Sequence, residues 1–315
     1  MDVEKLFNGI AVIIDNEIEE KTSDIYKIKE LIEAKNIPVA VFSEIPQLDV
    51  IPALASASFV ILDWDYTNGA LEIEEGERIA IAGALAESEE ERLIGFIKKL
   101  LSDVFVPIFI FTAKQPSTVI DSLKEASLWD DEKTNRIFVK QKIDVDSEEE
   151  LFSAITEWVK KMPSVYVLKE WEGVVRKAQN SMFNELYSYS PNWAKIIWDM
   201  LKSDSRDNQR EFGDFVTKQL TNRISGYTFD EATINTNDDV CIKELLSVVE
   251  GERYISYTQP QLQAYTGDLF FDETTNVYYL NIRAQCDLAR DKNPMLYLIK
   301  GKELSDEDII TEDIK

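Results

Sequence analysis

Six polar residues with the chemistry needed for phosphoryl transfer lie at or just beyond the ends of apolar runs in this 315-residue sequence. In chain order they are Asp15, Glu17, Asp63, Asp65, Thr112 and Lys140. Clustered carboxylates can hold a hard divalent cation such as Mg²⁺, and one of them can act as the nucleophile. A hydroxyl and an ammonium can bind the remaining phosphoryl oxygens. These residue types therefore predict a carboxylate phosphoacceptor with Mg²⁺, provided that the fold brings them together.

Five short apolar runs supply the elements that would position these residues. The runs occupy residues 9–14, 38–42, 57–62, 106–111 and 137–139. Runs that are apolar at nearly every position are typical of strands buried on both faces, and helical patterns separate them. This alternation predicts a parallel, doubly wound α/β sheet, in which residues at the carboxyl ends of neighbouring strands converge on one crevice.

The sequence divides into three predicted parts. Residues 1–162 form the α/β domain, which includes a long insertion at about 66–105 with an acidic tract and one helix. We expect that tract to be a solvated acidic face rather than a docking surface. Residues 163–250 are predicted to be a helical segment rich in large aromatic side chains, and residues 251–315 a small β-rich unit with an acidic tail.

The composition limits the classes of partner. The chain has 59 Asp and Glu against 34 Lys and Arg, a formal net charge of -25, which repels nucleic acid and anionic membranes. No run reaches the roughly 20 apolar residues that cross a bilayer, and the first residues lack the layout of a signal peptide. Two cysteines cannot form a disulfide framework, and the lack of histidine excludes His-dependent triads and the usual zinc sites. The sequence therefore favours a cytoplasmic protein whose partners are proteins, cations or small molecules.

The segments AVIID, FVILD, VPIFIFTA and IFVK resemble the first, third, fourth and fifth strand signatures of response-regulator receiver domains, in the same order. The resemblance covers somewhat under half of the chain. It implies a flavodoxin-like five-stranded sheet with Asp63 as the phosphoacceptor. It also implies Mg²⁺ ligands among Asp15, Glu17, Asp63 and Asp65, a switch hydroxyl at Thr112, the conserved lysine at Lys140 and a switch aromatic at Phe138.

Three departures from the receiver pattern touch this site. Asn16 stands where the family has a second acid, so Glu17 would have to supply the missing charge. Gln141, and not a proline, follows Lys140, and the insertion enlarges the loop after Asp63. A pseudo-receiver that signals without phosphorylation therefore stays an alternative. For each residue taken alone a structural role is the simpler interpretation, such as helix capping by an aspartate.

The C-terminal part contains the segments GDLF at residues 267–270 and CDL at residues 286–288. This pair resembles a pattern in bacterial proteins that carry divergent receivers, some of them from anti-phage gene clusters. The hairpin between the two segments also resembles the first hairpin of SH3-like toxin barrels. Cys286 lies near Arg283 and Arg290, which would lower the pKa of a thiol, but a buried apolar role is the simpler interpretation.

The first functional prediction is a regulatory phosphoacceptor protein rather than a turnover enzyme. Phosphorylation of Asp63, or bound Mg²⁺, would draw in Thr112, repack Phe138 and signal to a C-terminal region that engages a downstream protein. The phosphodonor would be a separate protein resembling a histidine kinase, and homodimerisation stays open. The alternatives are a non-phosphorylated scaffold or sensor in an anti-phage assembly, and an effector nuclease acting through the C-terminal unit. The acidic net charge and the lack of histidine argue against the nuclease.

Overall fold

The computed structural model describes most of the chain. The described residues are 3–64, 78–131, 135–145, 147–204, 208–235, 242–253, 264–284, 287–288 and 295–302. The predictions for Asp65, the acidic tract at 66–77, Cys286 and the acidic tail therefore lie outside the described residues.

The five apolar runs form a sheet in which all strands are parallel, which confirms the predicted fold class. The strands are β1 (Ile10–Ile14), β2 (Val39–Phe42), β3 (Ala57–Leu62), β4 (Ile108–Thr112) and β5 (Ile137–Gln141). Their spatial order is β2-β1-β3-β4-β5, the flavodoxin-like order, in which the direction of winding reverses between β1 and β3. The strand ends beside this reversal are where α/β folds place their sites.

Helices cover both faces of this sheet. They are α1 (Val3–Leu6), α2 (Asp24–Ala34), α3 (Arg78–Asp103), α4 (Pro116–Glu125) and α5 (Glu148–Lys160), with 3-10 helices at Leu48–Ser56 and Lys142–Asp144. The hydroxyls of Ser23 and Ser147 accept the backbone N–H groups of Tyr26 and Glu150, so a serine caps the start of both α2 and α5.

Alternate residues of the interior strands pack into two separate cores. Ile13 of β1 lies in a cluster with side chains of α2 and α5, whereas Ile14 lies in a cluster with side chains of α3 and α4. Because successive side chains of a strand point to opposite faces, a strand covered by helices on both sides must be apolar at every position. This requirement explains the unbroken apolar runs.

The helical segment continues from the α/β domain. It comprises α6 (Pro163–Tyr189), α7 (Trp193–Asp204), α8 (Asn208–Ile224) and the short α9 (Glu231–Ile234). Val165 and Tyr166 of α6 belong to the core cluster shared by α2 and α5. Contacts within the chain define two compact units, Met1–Thr236 and Asn237–Lys315, so the predicted helical segment at 163–250 begins within the first unit.

The second unit contains α10 (Ile242–Arg253) and a three-stranded antiparallel sheet. The strands β6 (Leu269–Asp272), β7 (Val277–Asn281) and β8 (Leu298–Gly301) pair in the order β6-β7-β8, which confirms the small β-rich unit. None of the helices in the described ranges has the length and apolarity to cross a membrane.

The GDLF segment has a structural role in the described part of this unit. Gly267 adopts φ +92°, a backbone conformation that favours glycine, and its N–H donates to the carbonyl of Asn281. The side chain of Asn281 is fully buried, and it donates to the Tyr265 carbonyl (2.8 Å) and accepts from the Arg283 N–H (3.2 Å). The turn before β6 is thereby fixed to the end of β7.

Candidate functional site

Two aspartates lie side by side at the carboxyl edge of the sheet. Asp15 is the first residue after β1, and Asp63 is the first residue after β3. The Asp15 N–H donates to the carbonyl of Phe42 (2.9 Å), and the Asp63 N–H donates to the carbonyl of Ile14 (3.0 Å), so hydrogen bonds between strands continue through both positions. The relative exposure is 0% for Asp15 and 2% for Asp63, so both carboxylates are withdrawn from water.

The ammonium of Lys142 joins these two carboxylates. Its Nζ lies 2.8 Å from Asp15 Oδ2 and 3.2 Å from Asp63 Oδ2, and only 7% of the lysine side chain is exposed. Two buried carboxylates and one ammonium leave one net negative charge at the site. Such a group is stable only while every charge has a partner, because an unpaired ion is costly to bury.

The carboxylates determine the charge state of Lys142. Burial by itself lowers the pKa of the ammonium, but the negative charges of Asp63 and then Asp15, together with the hydrogen bonds to both, outweigh burial. The pKa of Lys142 is therefore raised above its ordinary value, and the lysine is a permanent cation at neutral pH.

Sequence reasoning placed this ammonium at Lys140, two residues earlier. The structure places Lys140 within β5, opposite Phe111 of β4, where it lines a shallow depression together with residues of α5. The strand was predicted to end at residue 139, whereas it runs to Gln141. Asp15, Asp63 and Lys142 each follow their strand directly. The same rule would have selected Lys142 had the end of β5 been placed correctly.

Thr112 and Phe138 lie on neighbouring strands. Thr112 is the buried last residue of β4, and its hydroxyl accepts the N–H of Lys114 (3.0 Å). Phe138 of β5 is half-buried, with ring centroids 5.9 Å from Phe109 and 6.1 Å from Trp158 of α5. The aromatic ring thus connects the strand that ends at Thr112 to the helix α5.

The loop after β1 holds the other residues considered for a metal. The N–H of Glu17 donates to Asp15 Oδ1 (2.8 Å), which fixes the carboxylate in a tight turn. Asn16 is half-buried, and its Oδ1 has no hydrogen-bond partner in the described structure.

The described part of the chain shows no group of three or more Asp, Glu or Cys side chains placed to hold a metal ion. Asp15 and Asp63 have the oxygen ligands that Mg²⁺ prefers. In this arrangement, however, the Lys142 ammonium lies between them and supplies the neutralising charge. The carboxylate oxygens of Asp15 and Asp63 are suitable ligands for a hard cation. For a cation to bind between them, the Lys142 ammonium would have to move aside or share the carboxylates with the cation.

No protein-family model matches the chain, and no curated protein is significantly similar to it in sequence. The fold and the geometry of this site are therefore the features that point to a function.

Proposed function

We propose that the protein is a receiver-like regulatory protein in which Asp63 accepts a phosphoryl group and Lys142 supplies the partner ammonium. The observation that carries this proposal is the contact of Lys142 Nζ with two carboxylates from adjacent strands, at 2.8 and 3.2 Å. These strands flank the point where the winding of the sheet reverses, which is where doubly wound sheets bind their ligands.

The proposed chemistry is the transfer of a phosphoryl group from a donor to a carboxylate oxygen. An Asp63 oxygen attacks the phosphorus atom, the bond from phosphorus to the leaving group breaks, and the leaving group departs with its electron pair. The Lys142 ammonium then neutralises phosphoryl oxygens instead of the second Asp63 oxygen, and the Thr112 hydroxyl donates to another. Bound Mg²⁺, with Asp15 and Asp63 as ligands and Glu17 and Asp65 as further candidates, would neutralise more of this charge.

A signal can leave this site through β4 and β5. Movement of Thr112 toward the phosphoryl group shifts the end of β4, on which Phe138 packs through Phe111 with ring centroids 6.3 Å apart. Phe138 also contacts Trp158 of α5, and α5 shares its core cluster with the first turns of α6. We propose that the output is a change in how these helices engage a downstream protein.

The test is intact-mass analysis after incubation with acetyl phosphate and Mg²⁺. The native protein is expected to gain one phosphoryl group, and Asp63→Ala is expected to gain none. Lys142→Met should accept the group poorly, whereas Lys140→Met should behave as the native protein does. Absence of the added mass from the native protein, or its persistence in Asp63→Ala, would overturn the proposal.

One observation favours a second candidate, a scaffold that is never phosphorylated. Asp15, Asp63 and Lys142 are buried, and the ammonium already pairs with both carboxylates, so the three side chains are held together without a ligand. Under this alternative, neither acetyl phosphate nor beryllofluoride with Mg²⁺ changes the mass or the thermal stability of the protein. Membership of an anti-phage assembly would then be tested by co-purification with the products of neighbouring genes.

A further inference from the structure

Strand β5 has an open edge. It is the last strand of the sheet, and among the described strands only β4 pairs with it. The carbonyl of Arg136 accepts the N–H of Ile108 on β4. This bond determines which residues of β5 direct their backbone N–H and C=O groups toward β4 and which direct them away from it. The N–H and C=O groups of Ile137 and Val139 consequently point away from β4. Ile137 is buried, so its outward groups are covered, whereas Val139 is partly exposed. No described residue hydrogen-bonds to the N–H or C=O of Val139, so β5 can accept another strand from Val139 onward.

An apolar pocket lies directly beside this open edge. It has a volume of about 290 Å³, and its lining includes Phe138 and Val139 of β5. Two tryptophans border it, Trp158 from the core cluster on one face of the sheet and Trp129 from the cluster on the other. The pocket therefore bridges both layers at the end of the sheet, and its size suits one large apolar side chain.

An acidic depression continues along the same strand. Lys140 of β5 lines it together with Glu149, Glu150 and Glu157 of α5. Phe138 and Lys140 are two residues apart on β5 and point to the same face, so the pocket and the depression are about 7 Å apart along the strand. Lys140 and Lys160, which pairs with Glu157 (2.6 Å), offset two of the three negative charges, so the depression keeps an excess of one negative charge.

We propose that the edge of β5 is a docking groove for an extended segment of another protein that adds to the sheet as a sixth strand. The segment carries a large apolar residue and, two or four positions away, lysine or arginine. The backbone of the segment would bind the open N–H and C=O groups, the apolar side chain would fill the pocket, and the basic side chains would lie in the acidic depression. This inference does not depend on phosphorylation of Asp63.

Charge and chemistry select this occupant over others. Each copy of this chain carries a formal charge of -25, which opposes the pairing of two copies along an edge that is itself acidic. A helix would leave the outward backbone groups of Val139 unpaired, because its own N–H and C=O groups are already used. An extended basic segment satisfies both requirements.

The first test uses the peptide TLTKVKT, amidated at its C-terminus and carrying a fluorescent label on its N-terminal amine. Binding to the full-length protein is measured by anisotropy, and hydrogen exchange is followed at the amides of β5. We expect saturable binding and slower exchange at the amide of Val139. The charge-reversed peptide TLTEVET and a peptide N-methylated at alternate residues are the matched controls, and both should bind at least tenfold more weakly.

Two protein variants test the groove itself. Val139→Pro removes one outward N–H but no hydrogen bond to β4, so the fold should survive and the affinity should fall about three- to tenfold. Glu149→Lys should weaken binding more at low salt than at high salt. Glu30→Lys, an equivalent reversal on an exposed position of α2, should leave binding unchanged.

The proposal is overturned if TLTKVKT does not bind, if the N-methylated peptide binds equally well, or if a folded Val139→Pro retains full affinity. Sedimentation velocity of the native protein shows whether two copies of this chain pair through β5. A concentration-dependent dimer that Val139→Pro abolishes would assign the edge to a second copy of this chain and overturn the heterologous partner.

Discussion

Two buried lysines lie at opposite edges of the same sheet and differ in what surrounds them. Lys142, at the carboxyl edge, contacts two carboxylates, and its pKa is raised. Lys169 of α6 lies at the amino edge, where its ammonium donates to the Ala57 carbonyl (3.2 Å) and pairs with Glu172 (2.9 Å). Burial lowers the pKa of Lys169, and the single carboxylate does not compensate.

The difference shows that burial of a lysine does not by itself mark a site. At the amino edge, Lys169 fixes α6 to the start of β3, and the guanidinium of Arg176 on the same helix donates to the carbonyl of Asn8 (2.8 Å) just before β1. This is a structural attachment. At the carboxyl edge, negative charge exceeds positive charge around Lys142, which favours binding of a further cation.

The largest expected effect separates the two lysines by stability. Lys142→Met leaves two buried carboxylates facing each other without a cation, so we expect the free energy of unfolding at neutral pH to fall by about 3 to 5 kcal/mol. Urea denaturation followed by circular dichroism measures this. The loss should shrink in Lys142→Met combined with Asp63→Asn, since one orphaned charge is then removed. A loss in the single variant no larger than that of an exposed lysine would contradict the geometry of the site.

A smaller loss is expected at the opposite edge. Lys169→Met removes the donor to the Ala57 carbonyl but also removes the cost of burying an ammonium, so we expect a loss of about 1 to 2 kcal/mol. Glu172 is partly exposed and can turn to water. The same urea titration checks this. A loss exceeding that of Lys142→Met would reverse the comparison and make the amino edge the more strongly coupled charge site.

The alkaline pH dependence of the two variants should have opposite signs. Because the pKa of Lys142 is raised, its contribution to stability is complete below the ordinary value of 10.5 and is lost as pH rises through the higher pKa of the folded state. The pKa of Lys169 is lowered, so the native protein should gain stability as pH rises from the folded pKa of Lys169 toward 10.5.

Urea midpoints of the native protein and both variants, measured at several pH values from about 8 to 11, give this comparison. The gap between native and Lys142→Met should narrow at the alkaline end. For Lys169→Met, the native protein should become relatively more stable over the same interval. Parallel curves for the two variants would show that the two surroundings are electrostatically equivalent.

The smallest effect is expected at Lys140. Its side chain lies beside the carboxylates of α5 in an open depression, so Lys140→Met should change the free energy of unfolding by no more than about 0.5 kcal/mol. It should also leave the accepted phosphoryl mass unchanged. If Lys140→Met abolishes phosphorylation and Lys142→Met does not, the two lysines have been assigned in the wrong order.

The fold was predictable because burial on both faces leaves an unbroken apolar signal, as in residues 57–62, and because each run is followed by polar residues. The positions of Asp15 and Asp63 followed from the same rule. The site lysine was missed because strand ends are the least certain feature of a sequence-based prediction, and a shift of two residues changed which lysine follows β5.

The attachment of α6 could not have been predicted. Lys169 and its acceptor Ala57 are 112 positions apart in the chain. The local sequence of α6 indicates a helix but does not indicate which strand its lysine reaches. Long-range packing of this kind decides the role of a charged side chain, and no periodicity in a single segment encodes it.

The length of α6 has a mechanical consequence. The helix spans 27 residues, or about 40 Å at 1.5 Å per residue, and the residues that attach it to the sheet, from Val165 to Arg176, all lie in its first half. A tilt of about 5° at Arg176 would displace the far end of the helix, about 20 Å away, by roughly 2 Å. The second half of α6 can therefore act as a lever. A small rotation where the helix is attached to the sheet becomes a larger displacement at its far end.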